Sequence, residues 1–272
     1  MFFRSLLFLS IIGFAFTSCK DSNPNKEQEL NPFIELHSDT DHPPFVSNME
    51  VAHKKTKLLE NGMVCFNLDM TFGKSSSTMK IFTTPTSSAI RVDKKEGAST
   101  VVLDGKIFTD AEEQRWDGER FGVYTYQYFF MAPYKFSDEG TIWTRLPDME
   151  LEGKITNRAK LTFESGTGDA PDDWYIVHSD PETNRVEYIA YIVTAGGTTV
   201  EEAEKSIRII KYSDYDVVDG VPFAFKWEFF NYSFEDGLGD KVGEGILKNV
   251  EMMDVVDQFD IIHDGTYSEI TS

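Results

Sequence analysis

"RFGVYTYQYFFMAPYKF", Arg120 to Phe136, decides how the rest of this chain is assembled. Tyr124, Tyr126, Tyr128 and Phe130 alternate as a strand would, and the residue types are β-formers. Phe121, Tyr124, Tyr128 and Met131 follow helical spacing instead. As a strand, the segment is confined to a sheet edge by Pro133, which has no amide hydrogen for a neighbour. As a helix, it has to lie across a sheet. Intrinsic propensity alone favours the strand.

The surroundings are strands. In "MVCFNLDMTFG", Val64, Phe66, Leu68 and Met70 share one face. "TMKIFTTP", "SAIRVD" and "STVVLDGKIFTD" follow, the last with Asp104-Gly105 as a hairpin signal. After Phe136 the series resumes, punctuated by Glu152-Gly153, Pro181-Glu182-Thr183-Asn184, Gly196-Gly197 and Asp219-Gly220. Around ten strands joined by short turns point to one antiparallel sheet, curved or closed. Before them, "VSNMEVAHKKTKLLENG" predicts a helix over 48–60, with Val51, Leu58 and Leu59 on its apolar side and His53 on a solvated face.

Two stretches carry a resemblance. "WYIVHSDPETNRVEYIAYIVT" is strand, DPxT turn and returning strand. "IKYSDYDVVDGVPFAFKWEFFNY" is strand, aromatic-acidic "SDY", DG turn and a strand opening on Pro222. Together they resemble the central hairpins of the outer-membrane lipoprotein carriers, the LolA/LolB-like half-barrels. "YQYFFMAPYKFSDEGTIW" is similar to the helix-"AMP"-"DDG"-strand segment of a family of Bacteroidota lipoproteins with no assigned activity. The similarity covers roughly residues 118–256; the family's "AHGG…W" opening is present only as "VAHKKTKLLENG". The resemblance implies a helix over 118–132, against propensity. It implies a mainly β fold with few helices: a curved antiparallel sheet, or incomplete β-barrel, with that helix across its concave face. It also implies a hollow able to hold acyl chains.

The aromatic load of 22 Phe, 11 Tyr and 4 Trp needs a home. Core packing accommodates it. The sharper expectation is a hollow lined by Phe121, Tyr124, Tyr128, Trp143, Trp174 and Trp227, since Tyr and Trp offer an apolar body with a polar tip.

At the N-terminus, Arg4 precedes the 12-residue apolar run "SLLFLSIIGFAF". A bilayer-spanning helix needs about 20 residues, so the run suits a secretory signal better than an anchor. Phe16 fits poorly at the −3 position of an ordinary cleavage site. "FTSC" resembles the bacterial lipobox, with Phe16 where Leu is usual, and the resemblance implies that Cys19 is acylated and becomes the first mature residue. Three acyl chains would make a durable bilayer anchor, because each buried methylene contributes about 0.8 kcal/mol. Lys20-Asp21 resembles the export signal of surface lipoproteins, leaving the outer and periplasmic faces both open. The expected organisation is a signal peptide over 1–18, lipidated Cys19 with a polar tether to residue 46, a folded domain over 47–258 and a tail over 259–272.

Net charge is -20. So acidic a surface repels phosphate backbones, which disfavours nucleic acid as a partner. The remaining cysteine, Cys65, sits in an apolar strand and reads as a buried free thiol. No zinc spacing, P-loop, dinucleotide fingerprint or metalloprotease motif is present, so neither a metal nor a cofactor is expected, and the chain reads as a monomer. Three polar groups are candidates for chemistry. "HSDTDH" (His37, His42) lies in the tether. Asp169, Asp172 and Asp173 lack the spacing of a calcium loop. His178 and Asp180 could do acid-base work, although Asp180 is equally placed to cap the turn at Pro181. Three functional readings follow: a lipid-anchored envelope protein with a hydrophobic ligand in its hollow, a displayed binding or scaffold module with a filled core, and a hydrolase using His178.

Overall fold

A computed structural model describes residues 42–111, 118–253 and 267–270. The signal segment, Cys19, His37 and most of the tether and tail lie outside the described residues. Among the described residues, no helix is long and apolar enough to cross a membrane.

Thirteen strands, rather than about ten, form one antiparallel sheet in the order β13-β5-β4-β3-β2-β1-β12-β11-β10-β9-β8-β7-β6. The first meander is β1 (Met63–Phe72), β2 (Ser75–Thr83), β3 (Ala89–Lys94), β4 (Ser99–Leu103) and β5 (Lys106–Thr109). The second is β6 (Thr141–Leu151), β7 (Lys154–Phe163), β8 (Tyr175–Ser179), β9 (Val186–Tyr191), β10 (Arg208–Val218), β11 (Val221–Ser233) and β12 (Gly237–Met253). Pairing of β1 with β12 fuses the two. From the tail, β13 (Ser268–Glu269) returns to pair with β5. The sheet is strongly curved and does not close into a barrel.

Three of the expected turns take the form their sequences demand. Asp104-Gly105, Glu152-Gly153 and Asp219-Gly220 all have positive φ at both residues, and each links adjoining strands through two residues. That is the type I′ hairpin, whose twist matches the flanking strands. Gly196-Gly197 differs. It lies in a helical connection between β9 and β10 that includes α4 (Val200–Ala203) and was not expected from the sequence.

Topology explains the helix. β5 lies beside one edge of the sheet and β6 forms the other, so the chain between them must cross the whole concave face. The crossing is made by α3 (Glu119–Met131), continued by a 3-10 turn over Ala132–Tyr134. A strand there would have left its amides and carbonyls unpaired over an apolar surface; a helix pairs them internally. Gly118 starts it with φ 72, and the Gly122 amide donates to the Gly118 carbonyl at 2.8 Å. Pro133 ends it.

The N-terminal helix departs from expectation. α1 (Pro44–Ala52) and α2 (Lys55–Leu59) are separated at Lys54, whose φ is 60. α1 therefore begins inside the segment read as tether. His53 continues the buried face of α1 that carries Val46, Met49 and Glu50, correcting its assignment to a solvated face: its amide donates to the Met49 carbonyl at 3.0 Å and its exposure is 0%, while Val51, expected on the apolar side, is 68% exposed. Buried Glu50 holds this region to the end of α3. It takes an ion pair from Lys55 at 2.8 Å and hydrogen bonds from the Ser137 amide and hydroxyl, both at 2.8 Å.

Each side of the sheet is buried over part of its area. Val64, Phe66, Leu68 and Met70 face α3, as their alternation predicts. Cys65 points the other way, into a small cluster with Met63 and Phe82, where burial pushes its thiol pKa up. A second core on the convex side joins Trp174, Ile176, Tyr188, Ala190 and Ile209 beneath α4.

Candidate functional site: a cavity beside the crossing helix

α3 uses two faces. Val123, Phe130 and Met131 pack onto the sheet. Phe121, Tyr124, Thr125 and Tyr128, spaced i, i+3, i+4 and i+7, form a second stripe along a cavity of about 340 Å³. The opposite wall is Phe163 of β7, Tyr175 of β8 and Tyr191 with Val193 at the end of β9. Ile90 and Ser87 contribute from the first meander. The volume lies within the range of small-molecule sites, and such sites combine mostly apolar walls with a few fixed polar groups.

The register of the β8–β9 hairpin builds the far wall. Tyr175 pairs directly with Tyr191, and their rings stack at 6.4 Å and 24°. Tyr128 reaches across from the helix to Tyr175 at 5.3 Å. Burial pushes the phenol pKa of Tyr128, Tyr175 and Tyr191 above its ordinary value, so all three are neutral hydroxyls. Tyr175 and Tyr191 were not singled out in the sequence. Counting outward from the DPxT turn could have found them, because period two puts them on the same face as Val177 and Ile189.

Polar groups rim the cavity. Asp173 accepts the Thr194 amide and hydroxyl, both at 2.7 Å, while its burial pushes the carboxyl pKa up. Asp169 pairs with Arg120, whose guanidinium sits 5.6 Å over Tyr124. Lys135 pairs with Asp138. Gly140 has φ +81 and lies so close to the Thr167 side chain that a Cβ there would force Thr167 to move. Gln127 donates to Thr83 at 3.0 Å from its place on the wall.

Of the six aromatics expected around the hollow, the structure brings Phe121, Tyr124 and Tyr128 to the cavity and places three elsewhere. Trp143 packs edge-on against Phe45 and Phe136 and donates to the Phe136 carbonyl at 2.7 Å. Trp174 points to the convex core, one position out of phase with Tyr175, and donates to Glu204 at 3.0 Å. Trp227 is sealed in the concave core against Tyr212.

The other candidates dissolve into structural roles. His178 has 0% exposure, bonds to Thr156 at 3.0 Å and lies against the edge of Tyr188, with Nε2 left without a hydrogen-bond partner among the described residues. Burial lowers its pKa to about 3. Asp180 accepts the Glu182 amide at 2.9 Å, the Thr183 amide at 2.6 Å and the Thr183 hydroxyl at 3.0 Å, capping the turn. An imidazole sealed in this way has no path to a substrate. Asp169, Asp172 and Asp173 do not converge, and among the described residues no group of three or more His, Cys, Asp and Glu is placed to hold a metal. His42 lies against the Ser137 carbonyl at 3.1 Å.

No protein-family model matches this chain, and no curated protein matches its sequence. Solved structures do match its fold. A LolA superfamily protein from Nitrosomonas europaea superposes with a TM-score of 0.52 at 9% identity, over 79% of this chain and 96% of that one. A DUF1329 family protein from Desulfovibrio piger gives 0.53 at 8% identity, over 83% and 100%. The architecture is LolA-like.

Proposed function

We propose that this chain is a lipid-anchored protein of a bacterial cell envelope that holds a hydrophobic ligand, such as an acyl chain or lipoprotein tail, in the cavity beside α3. The cavity carries the reading: about 340 Å³ bounded by Phe121, Tyr124, Tyr128, Phe163, Tyr175 and Tyr191 on the concave face. The LolA-like architecture supports it, because in the half-barrels that the sequence resembles this hollow takes acyl chains. The "FTSC" motif supports an anchor at Cys19 and leaves the face of the membrane open.

A neutral fluorophore, N-phenylnaphthylamine, tests the cavity. One saturable site is expected, together with co-purifying lipid seen by native mass spectrometry. Tyr128→Trp, which adds bulk within the cavity, should abolish the fluorescence gain while leaving the thermal transition within a few degrees. No saturable binding and no co-purifying lipid would return the protein to the reading of a filled display module. The anchor is tested separately: Cys19→Ala should move the protein from the membrane fraction to the soluble fraction.

A further inference from the structure

Seven of the eight tyrosines packed on the concave side fall into two groups; Tyr126, partly buried beside the same core, belongs to neither. Tyr134 donates to the Pro222 carbonyl at 2.6 Å, Tyr212 to Phe129 at 3.1 Å and Tyr215 to Val186 at 2.7 Å. The four that line the cavity, Tyr124, Tyr128, Tyr175 and Tyr191, donate to no group among the described residues. None of the four hydroxyls is among the sealed side-chain atoms left without a partner; each is reached by solvent through the cavity. A bound molecule can therefore meet them as donors without displacing any partner among the described residues.

The charges around the same cavity have one predominant sign. Asp138, Glu139, Asp169 and Asp173 line it, against Lys135 alone among lining cations. Lys135 is engaged by Asp138, and the nearby Arg120 by Asp169. Glu139 and Asp173 have no ion-pair partner among the described residues. An anion entering would lose hydration, meet net negative charge and find both neighbouring cations already paired. The phenols, being donors as well as acceptors, suit carbonyl or ether oxygens.

Resting on the reading that the cavity binds an apolar chain, we propose that its ligand is an uncharged amphiphile: an apolar tail with an ester-, amide- or ether-type polar group that accepts hydrogen bonds from Tyr128, Tyr175 and Tyr191. Free fatty acids and other anionic lipids are selected against by the carboxylates at the rim.

Three probes of equal tail length separate the possibilities: monododecanoylglycerol, dodecanoate and dodecyltrimethylammonium. Each is titrated below its micelle concentration at pH 8 by displacement of N-phenylnaphthylamine from the full chain. The glycerol ester is expected to bind at least tenfold tighter than either ion. Tyr175→Phe and Tyr191→Phe should each weaken the ester by about 2- to 10-fold relative to the dye, in line with one lost hydrogen bond. Glu139→Lys should raise dodecanoate affinity relative to the ester. Dodecanoate binding as tightly as the ester would overturn the selectivity and leave the cavity reading standing. Preference for the cationic probe would overturn it too, by showing that charge alone selects. If the dye binds and none of the three displaces it, the amphiphile is wrong; if the dye itself does not bind, the cavity reading falls as well.

Discussion

The concave face of the sheet is packed at one end of α3 and hollow along its other stripe, although both regions are built from the same residue types. At the packed end, Phe130 lies between Phe66, stacked at 4.0 Å and 22°, and Phe223, stacked at 5.1 Å and 5°. Around them Tyr134, Tyr212 and Tyr215 give their hydroxyls to backbone carbonyls. In the hollow the rings also meet, Tyr128 and Tyr175 at 5.3 Å, but the hydroxyls face the cavity without a partner among the described residues. Aromatic content alone does not distinguish core from site; what differs is whether the polar tips have protein partners.

The largest expected effect breaks the packed end. Phe130→Ala removes a ring flanked on both faces and should cost about 3–5 kcal/mol, read as a lower denaturant midpoint. A comparable loss from Tyr128→Ala would mean that the hollow is as well packed as the core.

Acid comes next. His53 accepts the Val186 amide through Nε2 at 3.0 Å, so the ring must be neutral at that nitrogen, and Nδ1 is buried without a partner. Burial, then the charge of Arg185, lowers its pKa from 6.5 to about 3. Between those values the unfolded chain binds the extra proton. The contribution of His53 is therefore complete above pH 6.5 and declines as the pH falls toward 3, by up to about 1.4 kcal/mol per pH unit. His178, also lowered to about 3, acts with the same sign. Denaturation at pH 7, 5.5 and 4.5 should show the decline, and His53→Gln, which keeps an acceptor and removes the titration, should make it shallower. An unchanged slope in that variant would show that His53 is not one of the groups responsible.

The smallest effects sharpen the contrast most. Tyr134→Phe should cost about 1 kcal/mol by removing a satisfied hydrogen bond. Tyr175→Phe should change stability by no more than about 0.5 kcal/mol, since no protein bond is lost. Equal costs in thermal melts would mean that the two groups of tyrosines do not differ as described.

Much of this was legible in the chain itself. Alternation in β1 assigned Val64, Phe66, Leu68 and Met70 to one face without ambiguity, because period two leaves no other arrangement. Asp104-Gly105, Glu152-Gly153 and Asp219-Gly220 announced their turns, because few residues other than Gly, Asn and Asp tolerate positive φ. His53 was misplaced because the apolar side was drawn through Val51, whereas Val46, Met49, Glu50 and His53 share the buried face of α1, and a Glu and a His on that face hide it from the hydrophobic pattern. Trp174 was misplaced by one step of the pleat: neighbours on a strand face opposite sides, and only the register of β8 shows that the cavity belongs to Tyr175.

By itself, then, the sequence determined a mainly β chain of hairpins and an acidic surface, because turn chemistry, alternation and charge are local properties. Resemblance, not propensity, tipped Arg120–Phe136 toward helix. Only the tertiary structure decided why. β5 and β6 lie near opposite edges of one sheet, and a chain that must cross an apolar face has to satisfy its backbone internally. The same crossing divides that face into a sealed core and a cavity whose tyrosine hydroxyls have no partner among the described residues.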